Sequence, residues 1–383
     1  MAWLSGFSYR YPLTVTENSG GTLANHQVNE IAITLSGLPV NPYFQYMRVT
    51  DSDGTTLLNF WRRAYDNTAK TVTFWVKVPV LTASQNHDIY LYVGNSGGSE
   101  VSLYGDGTDT SNSTMVKIVP DSGCKLLLHI DDGADPTADA SGNGNNGTLV
   151  DSPVWQGADG GKWDGVDQQF SGGSQNHLRF NATNYVDCPN LPALSGATTF
   201  FMGAWVKLIS YTYLGGILSQ FSSTQYDVDL TMNYAPPYGQ VMAVVRNGAS
   251  NSWGRTQNSL SLDTWYLVVM VYNGNGSTNA DKLKVYVNSV EQTLDFPYDN
   301  IPSTSPTISS HFQVGRYENN RLLDGYVDEV FVYNRLPYAG ELDSIYYRRK
   351  YASSQPTWVL GDLETPSGVI VPVMFNYYRR LRG

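Results

Sequence analysis

Side chains able to do chemistry are sparse in this sequence, and their spacing excludes most reaction classes. Hydrolysis of a glycosidic bond needs two carboxylates about 5 Å apart, and a strand puts alternate residues on one face. Glu341-Leu342-Asp343 has that spacing. However, Tyr346 stands where a further carboxylate would complete the series, and the segment has helical periodicity. Asp328 and Glu329 are neighbours, so a strand turns them to opposite faces. The five histidines, at 26, 87, 129, 177 and 311, are scattered, with no Gly-x-Ser-x-Gly near them. His-Glu-x-x-His, Cys-x-x-Cys and Gly-rich phosphate loops are missing. The residues predict a protein without catalytic side chains.

Two polar features remain. The run DASGNGNNGTL, from Asp139 to Leu149, offers carboxylate and carbonyl oxygens in a tight turn. Ca²⁺ takes six to eight such oxygens, and the same residue types also close turns by Asp–backbone bonds. Loop-like stretches carry aromatic and Arg residues: Tyr234 and Tyr238 in NYAPPYG, Trp253 and Arg255 in NSWGR, Arg316 and Tyr317 in GRYENN. Aromatic faces beside hydrogen-bonding groups suit saccharides; each residue is also an ordinary rim aromatic or its neighbour.

The elements that must position these residues are strands. VNEIAITLSG, TVTFWVKVPV and HDIYLYVGN alternate apolar and polar residues, and YMRVTDSDGTTLLNFW reads as two strands around Asp-Gly. Its Asp51-Ser-Asp-Gly resembles the start of a Ca²⁺ loop but lacks the downstream Glu, so it reads as a hairpin turn. About ten further strands follow Cys124, including TTFFMGAWVKL, YDVDLTMNY and TWYLVVMVYNG. Trp205 and Trp265 lie in alternating strands and are expected in the core. One helix is expected, over about 338–349, where Leu342, Ile345 and Tyr346 share a face. The fold class is all-β: an N-terminal β-sandwich over 1–100, a linker over 101–123, a jelly roll over 124–350, and a C-terminal strand and tail over 351–383.

Composition agrees with strands. Only 15% of the 383 residues are charged, with 27 Tyr and 36 Gly. The net charge of −10 disfavours nucleic acid as a partner. Cys124 and Cys188 are too few for a disulfide framework; pairing and two buried thiols both remain open. No apolar run is long enough to span a membrane, and MAWLSGFSYRYPLTV does not read as a signal peptide.

In order, LLLHIDD, DASGNGNNGTL, FFMGAWVKL, LDTWYLVVMVYNG, KLKVYVNSV, FQVGR and LDGYVDEVFVYNRLPYAGELDSIY resemble a laminin G-like module of the concanavalin A-like jelly-roll superfamily. One departure is Ser289, where that family has Gly in an Asn-Gly hairpin. WLSGFSYRYPLTVT, RVTDSDGTTLLNFW, TVTFWVKVP and DIYLYVGN resemble a small β domain of unassigned function found in surface proteins of bacteria and archaea. SSQPTWVLGDLE resembles the strand that follows the jelly roll in such proteins. The resemblance implies that Asp139 and Asp328 lie close together, with Asn143 nearby, as a structural Ca²⁺ site. It implies a surface role and no reaction.

The last 36 residues carry six basic and two acidic side chains, against 18 and 32 in the rest. Val373, Met374, Phe375, Tyr377 and Tyr378 are too few to form a core, and Arg379 and Arg380 suit carboxylate pairing. The tail is therefore expected at a subunit interface of a homo-oligomer or virion lattice. Together these features predict a non-enzymatic virion surface protein, with a bacterial or archaeal cell-surface adhesin as the alternative and a carbohydrate-active hydrolase behind it. Glycans and further copies of the chain are the expected partners.

Overall fold

The computed structural model describes residues 2–97, 121–130, 135–156, 177–181, 183–233, 236–248, 252–298, 300–318, 321–346, 352 and 354–366. The chain divides into two compact units, one of Met1–Lys117 with Tyr347–Gly383 and the other of Ile118–Tyr346. Every strand pairing described is antiparallel.

The first unit is a sandwich. Its strands are β1 (Tyr9–Thr16), β2 (Leu23–Thr34), β3 (Arg48–Thr50), β4 (Phe60–Asp66), β5 (Thr71–Leu81) and β6 (Asn86–Val93). One sheet runs β2-β5-β4, the other β1-β6-β3. Leu13 and Val15, Val76 and Val78, and Ile89 and Leu91 meet between them, as alternation requires. The Asp51 segment is a turn: Gly54 N–H donates to Asp51 O at 2.9 Å, and Asp53 Oδ1 accepts from Thr55 and Thr56 N–H.

The second unit is the larger sandwich. Its strands are β7 (Cys124–Leu128), β8 (Thr148–Val150), β9 (Val154–Gln156), β10 (His177–Asn181), β11 (Tyr185–Cys188), β12 (Thr199–Leu208), β13 (Gly216–Ser223), β14 (Tyr226–Met232), β15 (Gln240–Asn247), β16 (Trp253–Ser259) and β17 (Trp265–Asn273). After a helical turn α1 (Asn279–Lys282) come β18 (Leu283–Val287), β19 (Val290–Gln292), β20 (Leu294–Asp295), β21 (Phe312–Val314), β22 (Arg316–Tyr317), β23 (Arg321–Leu322), β24 (Asp324–Tyr333) and α2 (Glu341–Tyr346). The front sheet runs β19-β18-β17-β12-β24-β10-β9, with β7 also on β24; the back sheet runs β20-β16-β15-β14-β13-β21-β11-β8. In β12, Phe200, Met202, Ala204 and Val206 face the core between the sheets. Phe201 and Trp205 face outward and are covered by Leu342 and Ile345 of α2, with Trp205 stacked on Tyr346 at 5.5 Å. Trp205 is buried as expected; Trp265 is half-buried at the edge of this cluster.

The chain then returns to the first unit. β25 (Thr357–Leu360) joins the sheet beside β1, giving the order β25-β1-β6-β3. The C-terminal strand is thus part of the first sandwich.

Two local outcomes refine the sequence reading. Asn288 and Ser289 both adopt positive φ (52° and 65°) in the β18–β19 hairpin. Ser replaces the family's Gly there and donates its hydroxyl to Asp343 Oδ1 at 2.7 Å, which offsets the αL cost. Cys124 and Cys188 are free and buried, and burial pushes the Cys124 thiol up to about 12. No helix among the described residues is long and apolar enough to cross a membrane.

Candidate functional site

Along β14, Val228, Leu230 and Met232 enter the core and Asp227, Asp229 and Thr231 take the other face. On β15, Val241, Ala243 and Val245 point in, while Met242 and Val244 pack on the outer side, the face that Arg246 shares by alternation. An antiparallel sheet commonly leaves its second face wet. Here Asp227 and Asp229 are each 0% exposed.

The cover is the β22–β23 hairpin. A Cβ at Gly216 would lie 2.2–2.5 Å from backbone atoms of Arg316 and Tyr317, so only glycine lets the hairpin backbone lie on β13. Tyr317 then reaches across to β15, where Arg246 Nη1 donates to its hydroxyl at 2.9 Å. Its ring meets Phe221 edge-on at 5.6 Å and packs with Leu214, Met242, Val244 and Trp253.

Beneath that ring, Arg246 Nη1 also donates to Asp227 Oδ2 at 2.6 Å. The other Asp227 oxygen, both Asp229 oxygens and Arg246 Nε have no well-formed hydrogen bond. Ser219 and Asp229 lie close enough to interact, yet neither closes a bond of good geometry. Burial raises the Asp227 carboxyl to about 6 against the pull of Arg246. Burial, then the charge of Asp227, holds Asp229 well above the usual carboxylate range. Two carboxyls beside one guanidinium are charge-balanced when they keep one proton between them. Asp227-Val-Asp229 in an alternating strand is the sequence signal for this pair, which was not among the expected site residues.

The opposite end of the back sheet from the Asp227–Arg246 pairing carries the β12–β13, β14–β15 and β16–β17 loops. Tyr211, Tyr213, Tyr238 and Leu262 are exposed there, Tyr213 most at 59%. Tyr211 donates its hydroxyl to Leu260 O at 2.8 Å. Gly239 (φ +88°) sits so close that a Cβ would lie 2.8 Å from the Tyr211 ring, which seats the Tyr238 loop against Tyr211. The Arg321 guanidinium lies 5.0 Å from the Tyr213 ring centre and 5.7 Å from that of Tyr317, joining this rim to the hairpin.

Several expected sugar contacts therefore change place. Trp253 and Arg255 lie in β16, and Arg316 and Tyr317 in β22, not in loops. Trp253 and Tyr317 are buried because both pack on the outer face of the back sheet. Arg316 lies over the Tyr185 ring at 4.4 Å, and Arg255 is half-buried beside Trp253 and Asp295. Tyr238 is exposed. Tyr234 lies outside the described residues, as do Phe375, Tyr377, Tyr378, Arg379 and Arg380.

The Asp139 loop is closed by its own backbone. Asp139 Oδ1 accepts from Leu127 and Ser141 N–H at 3.0 and 2.9 Å, and Oδ2 accepts from Asn145 N–H at 2.9 Å. Asn143 and Asn145 donate side-chain N–H to Cys124 O and Lys125 O. The Asn residues thus cover the free edge of β7, which explains their density. β7 pairs with β24 on its other side. Asp139 thus lies on one side of β7, through its bridge to Leu128, and Asp328 lies in β24 on the other. Both Asp139 oxygens and the Asn143 side-chain N–H are thus engaged with backbone groups, and among the described residues no group of three or more His, Cys, Asp or Glu could hold a metal. Asp139→Ala is expected to cost about 3 kcal/mol, since it strands three N–H groups. Melting in excess chelator decides whether the loop also holds Ca²⁺: a lowered melting temperature shows a bound ion, and an unchanged curve shows a loop closed by its backbone bonds alone.

Residues 180–342 match the family model described as the concanavalin A-like lectin/glucanases superfamily, and residues 44–147 match a domain of unknown function, DUF2341. The chain is a DUF2341 domain followed by a concanavalin A-like domain. The second match contains the whole Asp227–Asp229–Arg246–Tyr317 cluster. None of the curated proteins compared with the chain matches it. Among solved structures, domain 4 of AbnA, an extracellular GH43 arabinanase from Geobacillus stearothermophilus in complex with arabinotriose, aligns at 14% identity and a TM-score of 0.40, over 58% of this chain and 97% of that one. The binding domain of botulinum neurotoxin serotype D aligns at 12% and 0.40, over 58% of this chain and 50% of that one. The type G receptor binding domain aligns at 12% and 0.39, over 59% and 51%. The chain spans about half the length of these toxin domains.

Proposed function

We propose that the concanavalin A-like domain is a non-catalytic glycan-binding head of a protein displayed outside cells, on a virion surface or alternatively on a bacterial or archaeal cell. The observation that carries this reading is the rim of Tyr211, Tyr213 and Tyr238. These three large rings stay exposed at one end of the back sheet, next to an arginine-bearing hairpin. Exposed rings offer flat apolar faces to the C–H side of a sugar, and Arg321 and Arg316 offer donors to hydroxyls. The charge-poor, Tyr- and Gly-rich composition suits a surface role.

Each ring contributes little, so binding should be weak per site and strengthened by multivalency. Protein displayed on beads and applied to a glycan array should bind a subset of oligosaccharides, and Tyr211→Ala with Tyr238→Ala should lower the signal at least about tenfold. Retained signal in the double variant would rule out this rim. The buried pair Asp227 and Asp229 favours hydrolysis as a second reading, but the seated hairpin bars a substrate from it. No release of reducing ends from β-glucans is expected. Self-association through the basic aromatic tail belongs to the same proposal; deleting residues 366–383 should weaken assembly and leave binding per chain intact.

A further inference from the structure

We propose that the β22–β23 hairpin is a proton-linked latch: the proton held between Asp227 and Asp229 keeps Tyr317 seated, and its loss lifts the hairpin from the back sheet. The cluster has an unusual balance. Ser219, Asp227, Asp229 and Arg246 form a polar floor, and Tyr317 closes it from above. Arg246 answers one carboxylate, through Asp227 Oδ2 at 2.6 Å. Asp229 is 0% exposed, and no donor meets either of its oxygens with good geometry. The floor is thus satisfied only while Asp229 carries a proton, which it can offer to Asp227. Without that proton a second negative charge is buried under Phe221, Leu214 and Tyr317 with nothing to answer it. An uncompensated buried charge is among the most expensive states in a protein.

The charged groups around the pair do not remedy this. From β15 comes Arg246, already committed to Asp227 and Tyr317. From the hairpin come Glu318, which adds negative charge, and Arg321, which is paired with Glu318 at 2.8 Å. β13 supplies only the neutral Ser219. Water is the remaining source of donors, and the hairpin is the element that can admit it. Its ladder joins β22 and β23 to each other and to neither large sheet, and a two-residue ladder is marginal alone. Gly315 anchors its base, donating N–H to Ile217 O at 2.9 Å, with φ +83°. Burial raises both carboxyls above the ordinary aspartate range, so the shared proton is lost, and the latch opens, as pH rises. Opening would uncover a floor of acceptors and one guanidinium on the outer face of the back sheet. That this floor takes sugar hydroxyls rests on the glycan reading; the latch itself does not.

Amide hydrogen exchange on the full chain tests it. After correction for intrinsic rates, wild-type amides of Tyr317 and Leu322 should exchange at least about tenfold faster at about pH 8.5 than at about pH 5.5, while Leu13 and Val15 in the first unit keep their protection. Asp229→Asn fixes a neutral amide in place of the acid and should give equal protection at both pH values. If that variant fails to fold, Asp227→Asn takes its place with the same expectation, since one carboxylate then faces one guanidinium. Equal protection of the wild-type hairpin at both pH values would overturn the latch. So would a pH response that persists in the folded Asn variant. Exchange that opens with pH while glycan-array signal stays constant would leave the latch standing and count against the glycan reading.

Discussion

Asp229→Asn should melt higher than the wild type at pH 8 and no higher at pH 4. The sign follows from proton counting. An aspartate whose folded form holds its proton more tightly than its unfolded form binds more protons when folded, so stability falls as pH rises through that interval. The contribution is complete below the unfolded value, near 4, and is lost as pH rises through the folded one. Asp227 is raised to about 6 by burial, and Asp229 is raised further by burial and by Asp227. Each pH unit with one proton of difference is worth about 1.4 kcal/mol, so wild type should lose about 3 kcal/mol between pH 4 and 6 from Asp227 alone. In a unit of this size that is a fall in Tm of roughly 5–10 °C. Asn at 229 mimics the protonated acid, removes the coupling and should flatten the curve. Two hydrogen-bonded carboxylates of the first unit act in the opposite sense. Hydrogen bonds from Ser19 and Ser84 lower Glu17 to about 2, and those from Thr56 and Thr55 lower Asp53 to about 2, so their support is present at neutral pH and lost in acid. The interval from pH 5 to 8 therefore excludes these carboxylates, and the Asp229→Asn variant, which keeps every histidine, serves as the reference for the buried pair. Thermal melts across that interval decide the matter: a wild-type curve that is flat or rises with pH would mean the pair is not protonated in the folded state.

How far the sequence shows this site depends on which interactions are local. The strands are legible because alternation is a property of adjacent residues: β12, β14 and β17 read directly as strands. The Asp139 loop is legible as an ordered turn for the same reason, since its bonds run to residues 141 and 145 and to β7 nearby. The carboxyl pair is different. Alternation says only that Asp227 and Asp229 leave the core, and the usual consequence is solvent. Their burial is set by a hairpin about 90 residues later in the chain, docked through Gly216, which no local pattern announces. Trp253 and Tyr317 were hidden for a related reason. Their strands are bounded by Asn and Gly, so the stretches read as loops, and their outer-face packing depends on each other. The relation of Asp139 to Asp328 is a matter of register: the family order of elements gives neighbouring segments, and β7 lies between the two aspartates. The role of β25 was equally nonlocal, because TWVL alternates like any edge strand and its partner lies at the opposite end of the chain.

Ending the chain at Lys350 should unfold the first unit while leaving the concanavalin A-like unit folded. β25 covers the edge of β1 through the pairs Leu13–Leu360 to Thr16–Thr357, so its removal opens an edge strand. Leu363, fully buried in the first core, leaves with it, at a cost of about 2 kcal/mol. The larger loss is charge. Arg10 is 4% exposed, packed against the rings of Trp3 and Tyr90 at 4.5 and 4.1 Å, and its one carboxylate partner among the described residues is Glu364 at 2.6 Å. Removing a partner from a buried pair costs about 3–5 kcal/mol; Glu364 is 34% exposed, so the lower end applies. Tyr92 and Ala2 O still accept from Arg10 but bring no charge. Asn18 also loses its bonds to Gln355 and Thr357, and Gly361 N–H its bond to Pro12 O. Together these approach the whole stability of an ordinary domain. In limited proteolysis the truncated chain should be digested through residues 2–97 and leave a resistant fragment near 121–346. Glu364→Gln separates the causes: it keeps the strand and Leu363 and removes only the charge, so it should fold with a Tm lowered by several degrees. A truncated chain as resistant as the full one over residues 2–97 would show that the first sandwich closes without its returning strand.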